Sequence, residues 1–398
     1  MKKAISALLL MLVAILVTGM PILADELGGN VGVGGERLLE LQELVLVMDK
    51  ENQRAGRSVV DFSDDVYMGD IARANMADPR FVRLSELSHL FHEITLIQQA
   101  RGAVCESADP FVIVGWGGAY SSLDGRFNIT LLNKEYLDLL DFISEFTGIE
   151  RDQMNVEVGG IIQAGEARPS VTELEYENII ELSDIPIPMG TRLTFRHSHN
   201  GAYIGTGTLA HPLSAFSRFA LSTNHDMVPA GARVYATALG HIGYVAVPYF
   251  RANAGVDASI IELLPRFRAN HVLPGTSISI NNFNARVTSA APQVTVITWN
   301  GNRNGVVNDF SYSGWVRMPD NRSHHMRNML RANIDIQGGD SGASLVRIVG
   351  SNAQAVGLLI GSDGRGQSFY TQLVNMSTIV HRMQYLYDYC NYDYLLLP

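Results

Sequence analysis

The stretch Gly338-Gly339-Asp340-Ser341-Gly342-Ala343-Ser344 carries more functional information than any other part of this chain. A serine placed between Gly-Asp and Gly is typical of a nucleophile on a tight turn. Glycine allows the backbone N–H groups of such a turn to face a developing oxyanion, because no Cβ restricts φ. The string is short, and on its own it fits an ordinary turn equally well. The interpretation as a nucleophile depends on two segments that lie earlier in the chain.

Those two segments supply what acyl transfer by a serine requires, a base for the hydroxyl proton and an acid that orients the base. The string Leu221-Ser222-Thr223-Asn224-His225 follows an apolar run, which predicts a strand that ends close to an imidazole. Asp257 directly precedes a buried-looking strand. A hydrogen bond to an imidazole would help to keep this carboxylate ionised in an apolar setting. The three candidates therefore occur in the order His225, Asp257, Ser341.

This order and the local strings resemble the chymotrypsin-like serine proteases, most of all the bacterial secreted branch typified by the streptogrisins and α-lytic protease. The resemblance covers about residues 189–398. The segment that ends at His225 stands where that family has Leu-Thr-Ala-Gly/Ala-His. The segments that match the family are Leu221–His225, Asp257–Ile261, Gly339–Gly342, Ala355–Leu358 and Ser368–Leu373.

The resemblance implies a secreted serine endopeptidase with two antiparallel, trypsin-like β-barrels and a C-terminal helix, preceded by an α/β pro-region. His225 would be the general base, Asp257 would orient it, and Ser341 would be the nucleophile. The N–H groups of Gly339 and Ser341 would form the oxyanion hole. Asp340 would hold the turn through an internal pair, with Arg303 as a candidate partner. Substrates would be proteins or peptides, and no cofactor is implied.

The sequence indicates the residues that would set substrate specificity less clearly than it indicates the candidate catalytic residues. Asp335 lies six residues before Ser341, where trypsin-like members place the residue that selects basic side chains. A surface aspartate is the other interpretation of Asp335. Ile360, Gly361 and Ser362 complete the candidate specificity pocket.

Several residues depart from the family pattern. Asp226 follows the histidine where the family usually has a cysteine, and Thr223 and Asn224 replace small residues. Ala343 replaces a second glycine, and Ile360 stands where a serine often supports the triad aspartate. These differences motivate an alternative from another functional class, a catalytically inactive protease-like binding module at the cell surface.

The N-terminal 24 residues have the pattern of a secretory signal peptide. Lys2 and Lys3 form a charged start, Ala4 to Val17 is an apolar core, and Ile22-Leu23-Ala24 offers a small residue for cleavage. An uncleaved membrane anchor is the alternative, since the apolar run is nearly long enough to span a bilayer. We expect export and no stable membrane insertion after signal removal.

The rest of the chain divides by pattern into an α/β pro-region at 25–184 and a protease domain at 185–398. Helical spacing at 36–53 and 83–100 begins the first part, and a strand–helix–strand unit follows. The prolines of Ile185-Pro186-Ile187-Pro188 mark the boundary. Beyond it, a hairpin turn at Asn200-Gly201 and a series of short strands predict β structure. A last helix is predicted at Ile379–Tyr389.

Composition narrows the remaining possibilities. The chain has 398 residues and a net charge of −10, so a nucleic-acid partner is not expected. Its two cysteines, Cys105 and Cys390, pair in one interpretation and remain free thiols in the other. With so few thiols and no His-x-x-x-His spacing on a predicted helix, no metal site is expected. The pair His324-His325 is interpreted as part of a surface loop.

Overall fold

The computed structural model describes residues 33–58, 60, 70–100, 110–164, 185–213, 218–283 and 285–374. The chain divides into two compact units, residues 1–40 and 41–398. The predicted signal peptide, both cysteines and the predicted C-terminal helix lie outside the described residues. Among the described residues, no helix combines the length and the apolar character that crossing a membrane requires.

The region before Ile185 is an α/β region, as the sequence pattern predicts. Asn133 caps the turn that leads into its last helix by accepting a hydrogen bond from the N–H of Glu135, and Gly148 ends that helix in the left-handed conformation, with φ of +73°. The helices are α1 (Val33–Arg54), α2 (Asp70–Ala77), α3 (Pro79–Ala100) and α4 (Leu140–Thr147), and the strands are β1 (Ile113–Gly117), β2 (Phe127–Leu131), β3 (Met154–Val158) and β4 (Ile162–Ala164).

The first β unit is a six-stranded antiparallel sheet with the order β7-β6-β9-β10-β11-β8. Side chains of β6 alternate between buried and half-buried, the period expected of a strand with one face in the core. The predicted hairpin turn at Asn200-Gly201 joins its first two strands, and Gly201 has φ of +68°. The strands are β6 (Arg192–Arg196), β7 (Tyr203–Thr208), β8 (Phe219–Ser222), β9 (Arg233–Ala236), β10 (Gly240–Arg251) and β11 (Val256–Leu263).

The second β unit forms the larger part of an eleven-stranded sheet, with the order β14-β17-β18-β19-β16-β15. A short parallel pair, β5 (Ile185–Ile187) with β12 (Phe267–Ala269), stands apart from it. The strands of the second unit are β13 (Ser279–Asn282), β14 (Gln293–Thr298), β15 (Gly301–Arg317), β16 (Ser323–Asn333), β17 (Ser344–Val349), β18 (Asn352–Ser362) and β19 (Gln367–Gln372). The prediction of a mainly β chain with two antiparallel β units after an α/β region is confirmed.

The N-terminal region is continuous with the second β unit, which the sequence pattern does not indicate. Strand β1 pairs antiparallel with β15, so that β1, β2 and β3 extend the sheet. A polar contact accompanies the strand pairing, because the buried guanidinium of Arg331 donates to the carboxylate of Glu157 at 2.6 Å. The boundary at residue 185 therefore separates two regions that pack against each other within one compact unit.

The interpretation of His324-His325 as a surface loop is wrong. Both residues belong to β16, and His325 is buried, with 7% of its surface exposed. The neighbouring arginines and serine suggested solvent, but the strand has one face under the N-terminal region. His325 stacks on Trp116 of β1, with ring centroids 4.8 Å apart.

Candidate active site

His225 and Asp257 meet at the end of the pairing between β8 and β11. Strand β8 ends at Ser222, which lies opposite Ser259, so the chain beyond β8 passes the start of β11. Asp257 Oδ2 lies 2.8 Å from Nδ1 of His225, and both side chains are almost fully buried. The other carboxylate oxygen, Oδ1, accepts a hydrogen bond of 2.6 Å from the N–H of Asn224.

This environment sets the protonation of His225. Burial alone would lower the pKa of the imidazole, because a charged ring loses its hydration. The charge of Asp257 and its hydrogen bond act in the opposite direction, and Asp226 adds a smaller contribution. The net effect is a pKa raised above the ordinary value of 6.5.

The strand that carries Asp257 is held from two sides. The hydroxyl of Ser259 donates to the carbonyl of Thr223 at 2.9 Å, which fixes the segment that leads to His225. The backbone N–H of Asp257 donates to Oγ1 of Thr371 at 2.9 Å. Since Thr371 belongs to β19, this bond joins the first β unit to the second.

Ser341 occupies a turn that its neighbours close. Asp340 is buried, and its Oδ2 accepts a hydrogen bond of 2.9 Å from the N–H of Gln337. Arg303 Nη1 lies 3.9 Å from the same oxygen, so the candidate partner from the sequence is at the limit of an ion pair. Burial raises the pKa of Asp340, while the hydrogen bond from Gln337 and the charge of Arg303 oppose that shift.

Two glycines in this turn have backbone conformations that other residues rarely adopt. Gly339 has φ of +91° and Gly342 has φ of +89°. A Cβ at Gly342 would lie 2.7 Å from both the hydroxyl of Ser222 and the carbonyl oxygen of Thr208, so glycine is required there. Within the described part of the chain, the N–H groups of Gly339 and Ser341 have no hydrogen-bond acceptor.

The turn packs against the first β unit, where a Cβ at Gly342 would lie 3.1 Å from the backbone nitrogen of Thr223. The N–H of Thr208 donates to the carbonyl of Ser341 at 2.7 Å. The hydroxyl of Ser341, however, donates to the carbonyl of Ile360 at 3.3 Å. His225 Nε2 is buried and has no hydrogen-bond partner among the described residues. The structure thus joins His225 to Asp257 directly, and among the described residues it shows no hydrogen bond between Ser341 and His225.

The edge of β18 next to Ser341 is covered by β4. Gly361 pairs antiparallel with Ala164, and Ser362 pairs with Gln163. A Cβ at Gly361 would lie 1.9 Å from the carbonyl oxygen of Gln163, so the two backbones approach closely because Gly361 has no side chain. A segment of the N-terminal region therefore occupies the strand edge beside the candidate nucleophile.

The four residues of the candidate specificity pocket do not share one environment. Ile360 is fully buried in an apolar cluster that includes Phe369 and Ala164. Gly361 and Ser362 form the strand edge that β4 covers. Asp335 has an exposed side chain, and its backbone carbonyl accepts a hydrogen bond of 2.7 Å from Arg303.

Three contributions to the site were not anticipated from the sequence, namely those of Thr371, of the carbonyl of Ile360 and of β4. Thr371 lies in the Ser368–Leu373 segment that matches the family, and this was the only available signal. The sequence does not indicate the contact of the Ile360 carbonyl, because a backbone carbonyl can accept a hydrogen bond whatever side chain its residue carries. Among the described residues, no group of three or more histidine, cysteine, aspartate or glutamate side chains could hold a metal ion.

Comparison with known proteins gives similarity at the level of solved structures. No family model matches the chain, and no curated protein matches it. Similar solved structures include bacterial chymotrypsin-like serine proteases. The chymotrypsin of Cellulomonas bogoriensis is 17% identical, with a TM-score of 0.36, covering 50% of this chain and 97% of its own. Protease A of Thermobifida fusca is 18% identical, with a TM-score of 0.36 and coverages of 49% and 96%. The Nocardiopsis protease is 20% identical, with a TM-score of 0.37 and coverages of 49% and 96%.

Proposed function

We propose that this chain is a secreted serine endopeptidase that hydrolyses peptide bonds through Ser341, His225 and Asp257. The single observation that carries the proposal is the buried hydrogen bond of 2.8 Å between Asp257 and Nδ1 of His225. A donor bond from Nδ1 leaves the lone pair on Nε2, the nitrogen that has no partner among the described residues. A buried, oriented imidazole with one available nitrogen is what a general base needs.

The proposed reaction begins when the hydroxyl of Ser341 rotates from the carbonyl of Ile360 toward Nε2 of His225. The oxygen attacks the substrate carbonyl carbon, and its proton passes to Nε2. The N–H groups of Gly339 and Ser341 donate to the oxyanion that forms. The C–N bond then breaks, the amine leaves with the proton from His225, and an acyl ester remains on Ser341. Water, deprotonated by His225, hydrolyses this ester and restores the serine.

The proposal includes regulation by the N-terminal region, which acts as a pro-region. An extended peptide that reaches Ser341 would add to the edge of β18 as a strand, because main-chain hydrogen bonds supply much of the affinity in such binding. Strand β4 occupies that edge at Gly361 and Ser362. The orientation of the Ser341 hydroxyl toward Ile360 is consistent with a resting form. Removal of β4 would open the edge to a substrate.

A fluorophosphonate probe tests the catalytic proposal directly. Processed protein should be labelled at Ser341, and Ser341→Ala should abolish both labelling and peptide hydrolysis. Thr206→Ala, a change at a buried hydroxyl of β7, controls for general loss of structure and should keep labelling. Labelling of the Ser341→Ala variant at an unrelated residue would contradict the proposal.

The alternative, a protease-like binding module without activity, is favoured by one specific observation. The Ser341 hydroxyl contacts Ile360, and Nε2 of His225 has no partner among the described residues. If this arrangement is permanent, no probe labelling should appear even after the chain is cut between Ala164 and Ile185. Labelling that appears only after this cut would support the resting enzyme over the binding module.

Processing and export are tested on secreted protein. We expect cleavage after the signal peptide, before Asp25, and a second cleavage between β4 and β5. Peptide sequencing that finds only the N-terminus at Asp25 would indicate a permanent N-terminal domain. Mass spectrometry with and without reductant would show whether Cys105 and Cys390 link the two pieces.

A further inference from the structure

A cluster of histidine and tryptophan side chains fills the contact between the N-terminal region and the second β unit. His325 lies between Trp116 of β1 and His89 of α3, and its Nδ1 is 3.4 Å from Nε2 of His89. The ring of Trp315 of β15 lies against that of His92 at a tilt of 35°, with ring centroids 4.2 Å apart. The proposed catalytic machinery uses none of these residues.

The tryptophans in this cluster are anchored by hydroxyl groups of α3. Trp116 Nε1 donates to the hydroxyl of Ser85 at 3.0 Å, and Trp315 Nε1 donates to that of Ser88 at 3.3 Å. Ser88 in turn donates to the carbonyl of Ile113 at 3.1 Å. These hydrogen bonds hold both indole rings in place. The tryptophans therefore do not rotate away when a neighbouring histidine becomes charged.

The charges that act on His89 and His325 are positive. His89 and His92 act on His325, His92 acts on His89, and Arg327 of β16 adds its guanidinium to both. The ring of His92 bonds to the backbone of Pro110. Within the described chain, no carboxylate contributes to the pKa of His89, His92 or His325. Glu93, which follows His92 in α3, is exposed in part, but burial of its carboxyl raises its pKa. Strands β1 and β15 contribute the aromatic rings of Trp116 and Trp315.

We propose that this histidine cluster is a pH-sensitive latch, in which protonation of His89, His92 and His325 detaches the N-terminal region from the second β unit. A proton on one ring would place a buried positive charge beside the other two rings and Arg327. The repulsion is relieved when α3 and β1 separate from β15 and β16. The latch concerns the contact between the two regions, and it would operate in a protein without peptidase activity.

The direction of the pH effect follows from proton linkage. Burial lowers the pKa of His89 from 6.5 to about 4, and it also lowers the pKa of His92 and of His325. In the detached state the histidines therefore bind protons below about pH 6.5. In the docked state they bind protons only when the pH approaches their lowered pKa. Docking is complete above that range and weakens as the pH falls. His89 alone would weaken docking roughly 30-fold at about pH 5 relative to about pH 7.5.

The experiment uses the full chain with Ser341→Ala, so that self-cleavage cannot occur. Hydrogen exchange at the amides of β1 is measured between about pH 7.5 and about pH 5, corrected for the intrinsic pH dependence of exchange. We expect the protection of β1 to fall by at least about 30-fold, while the amides of β10 and β11 keep theirs. The variant with His89→Gln, His92→Gln and His325→Gln should lose most of this pH dependence.

A matched control changes two histidines outside the cluster. His197 and His199 lie on the exposed hairpin of the first β unit, and His197→Gln with His199→Gln should leave the response unchanged. An equal pH response in the cluster variant and in its parent would overturn the latch. If the triple variant does not fold, exchange of the imidazole C2 hydrogens in the parent decides. A pKa of His89 near 4 supports the latch, and one near 6.5 overturns it.

Discussion

Thr371 accepts a hydrogen bond of 2.9 Å from the backbone N–H of Asp257. Thr371 belongs to β19 and Asp257 to β11, so the bond crosses between the two β units. Ile360 stands where the family resemblance implied a supporting serine. Ile360 has no polar side chain that could support Asp257. Instead, Thr371 binds the backbone N–H of Asp257, and the N–H of Asn224 donates to its carboxylate.

Replacement of Thr371 should therefore reduce catalysis. Thr371→Val keeps the volume but leaves the buried N–H of Asp257 without an acceptor, which costs about 1–3 kcal/mol. We expect kcat/KM to fall about 10- to 100-fold, since a misplaced aspartate also misplaces the imidazole. Thr371→Ser should restore most of the activity. Equal losses in the valine and serine variants would contradict this role of the hydroxyl, because serine retains it and valine does not.

Asp226 should make a small contribution to the position of the acid limb of the pH profile. The proposed base must be neutral to accept a proton, and the pKa of His225 is raised, so activity should appear as the pH rises through a value above 6.5. Asp226→Asn removes one of the charges that raise this pKa. The acid limb of kcat/KM should then move to lower pH by about a few tenths of a unit.

The control for this measurement removes an acidic charge elsewhere. Asp320 lies in an exposed turn of the second β unit, where it pairs with Arg322. Asp320→Asn should leave the acid limb in place. A shift of equal size in both variants would mean that net charge, rather than the position of Asp226, controls the profile.

Gly255 should tolerate no side chain. Its φ is +64°, and a Cβ there would lie 1.7 Å from the carbonyl oxygen of Arg327. Gly255→Ala should lower the free energy of unfolding by about 3 kcal/mol or more, measured by chemical denaturation. Gly201 has a similar φ of +68° but open space around its Cβ. Gly201→Ala should cost only about 1–2 kcal/mol, and equal costs would argue against the clash.

Ala164 should control access to the strand edge in the uncut chain. Its side chain is buried, with 5% exposed, in a cluster with Ile360 and Phe369. Ala164→Phe would overfill this site at a cost of about 1–3 kcal/mol and favour release of β4. The rate of probe labelling of the uncut chain should rise about 10-fold or more. Gln163→Lys, at the exposed neighbouring position, should label like the parent protein.

The sequence predicts most of the local structure and the identity of the chemical groups, but not their final relationship. The hairpin turn at Asn200-Gly201 is set by local chemistry, and it is found where the pattern predicts it. The contact of His225 with Asp257 was implied by the family resemblance. The sequence did not predict the hydrogen bond from the Ser341 hydroxyl to the carbonyl of Ile360, because a backbone acceptor carries no side-chain signal.

The main structural features that the sequence did not predict arise from pairing between strands that are far apart in the chain. The pairing of β1 with β15 joins residues that are far apart in the chain, and no side-chain pattern specifies which free edge a short strand will meet. His325 was misplaced for the same reason. Its neighbours Arg322 and Ser323 are polar, and contacts with Trp116, His89 and Trp315 bury its own position. The prediction missed both the strand β16 and the tertiary contacts that cover it.

The pairing of β1 with β15 also bears on colloidal behaviour. While the sheet is continuous, the backbone groups of β15 around Tyr312 and Ser313 are satisfied by β1. A chain that has lost its N-terminal region would expose these groups to other molecules. An exposed edge strand can pair with other chains and form intermolecular sheets. Retention of the severed fragment would then act as a chaperone against aggregation at high concentration, whether or not it blocks turnover.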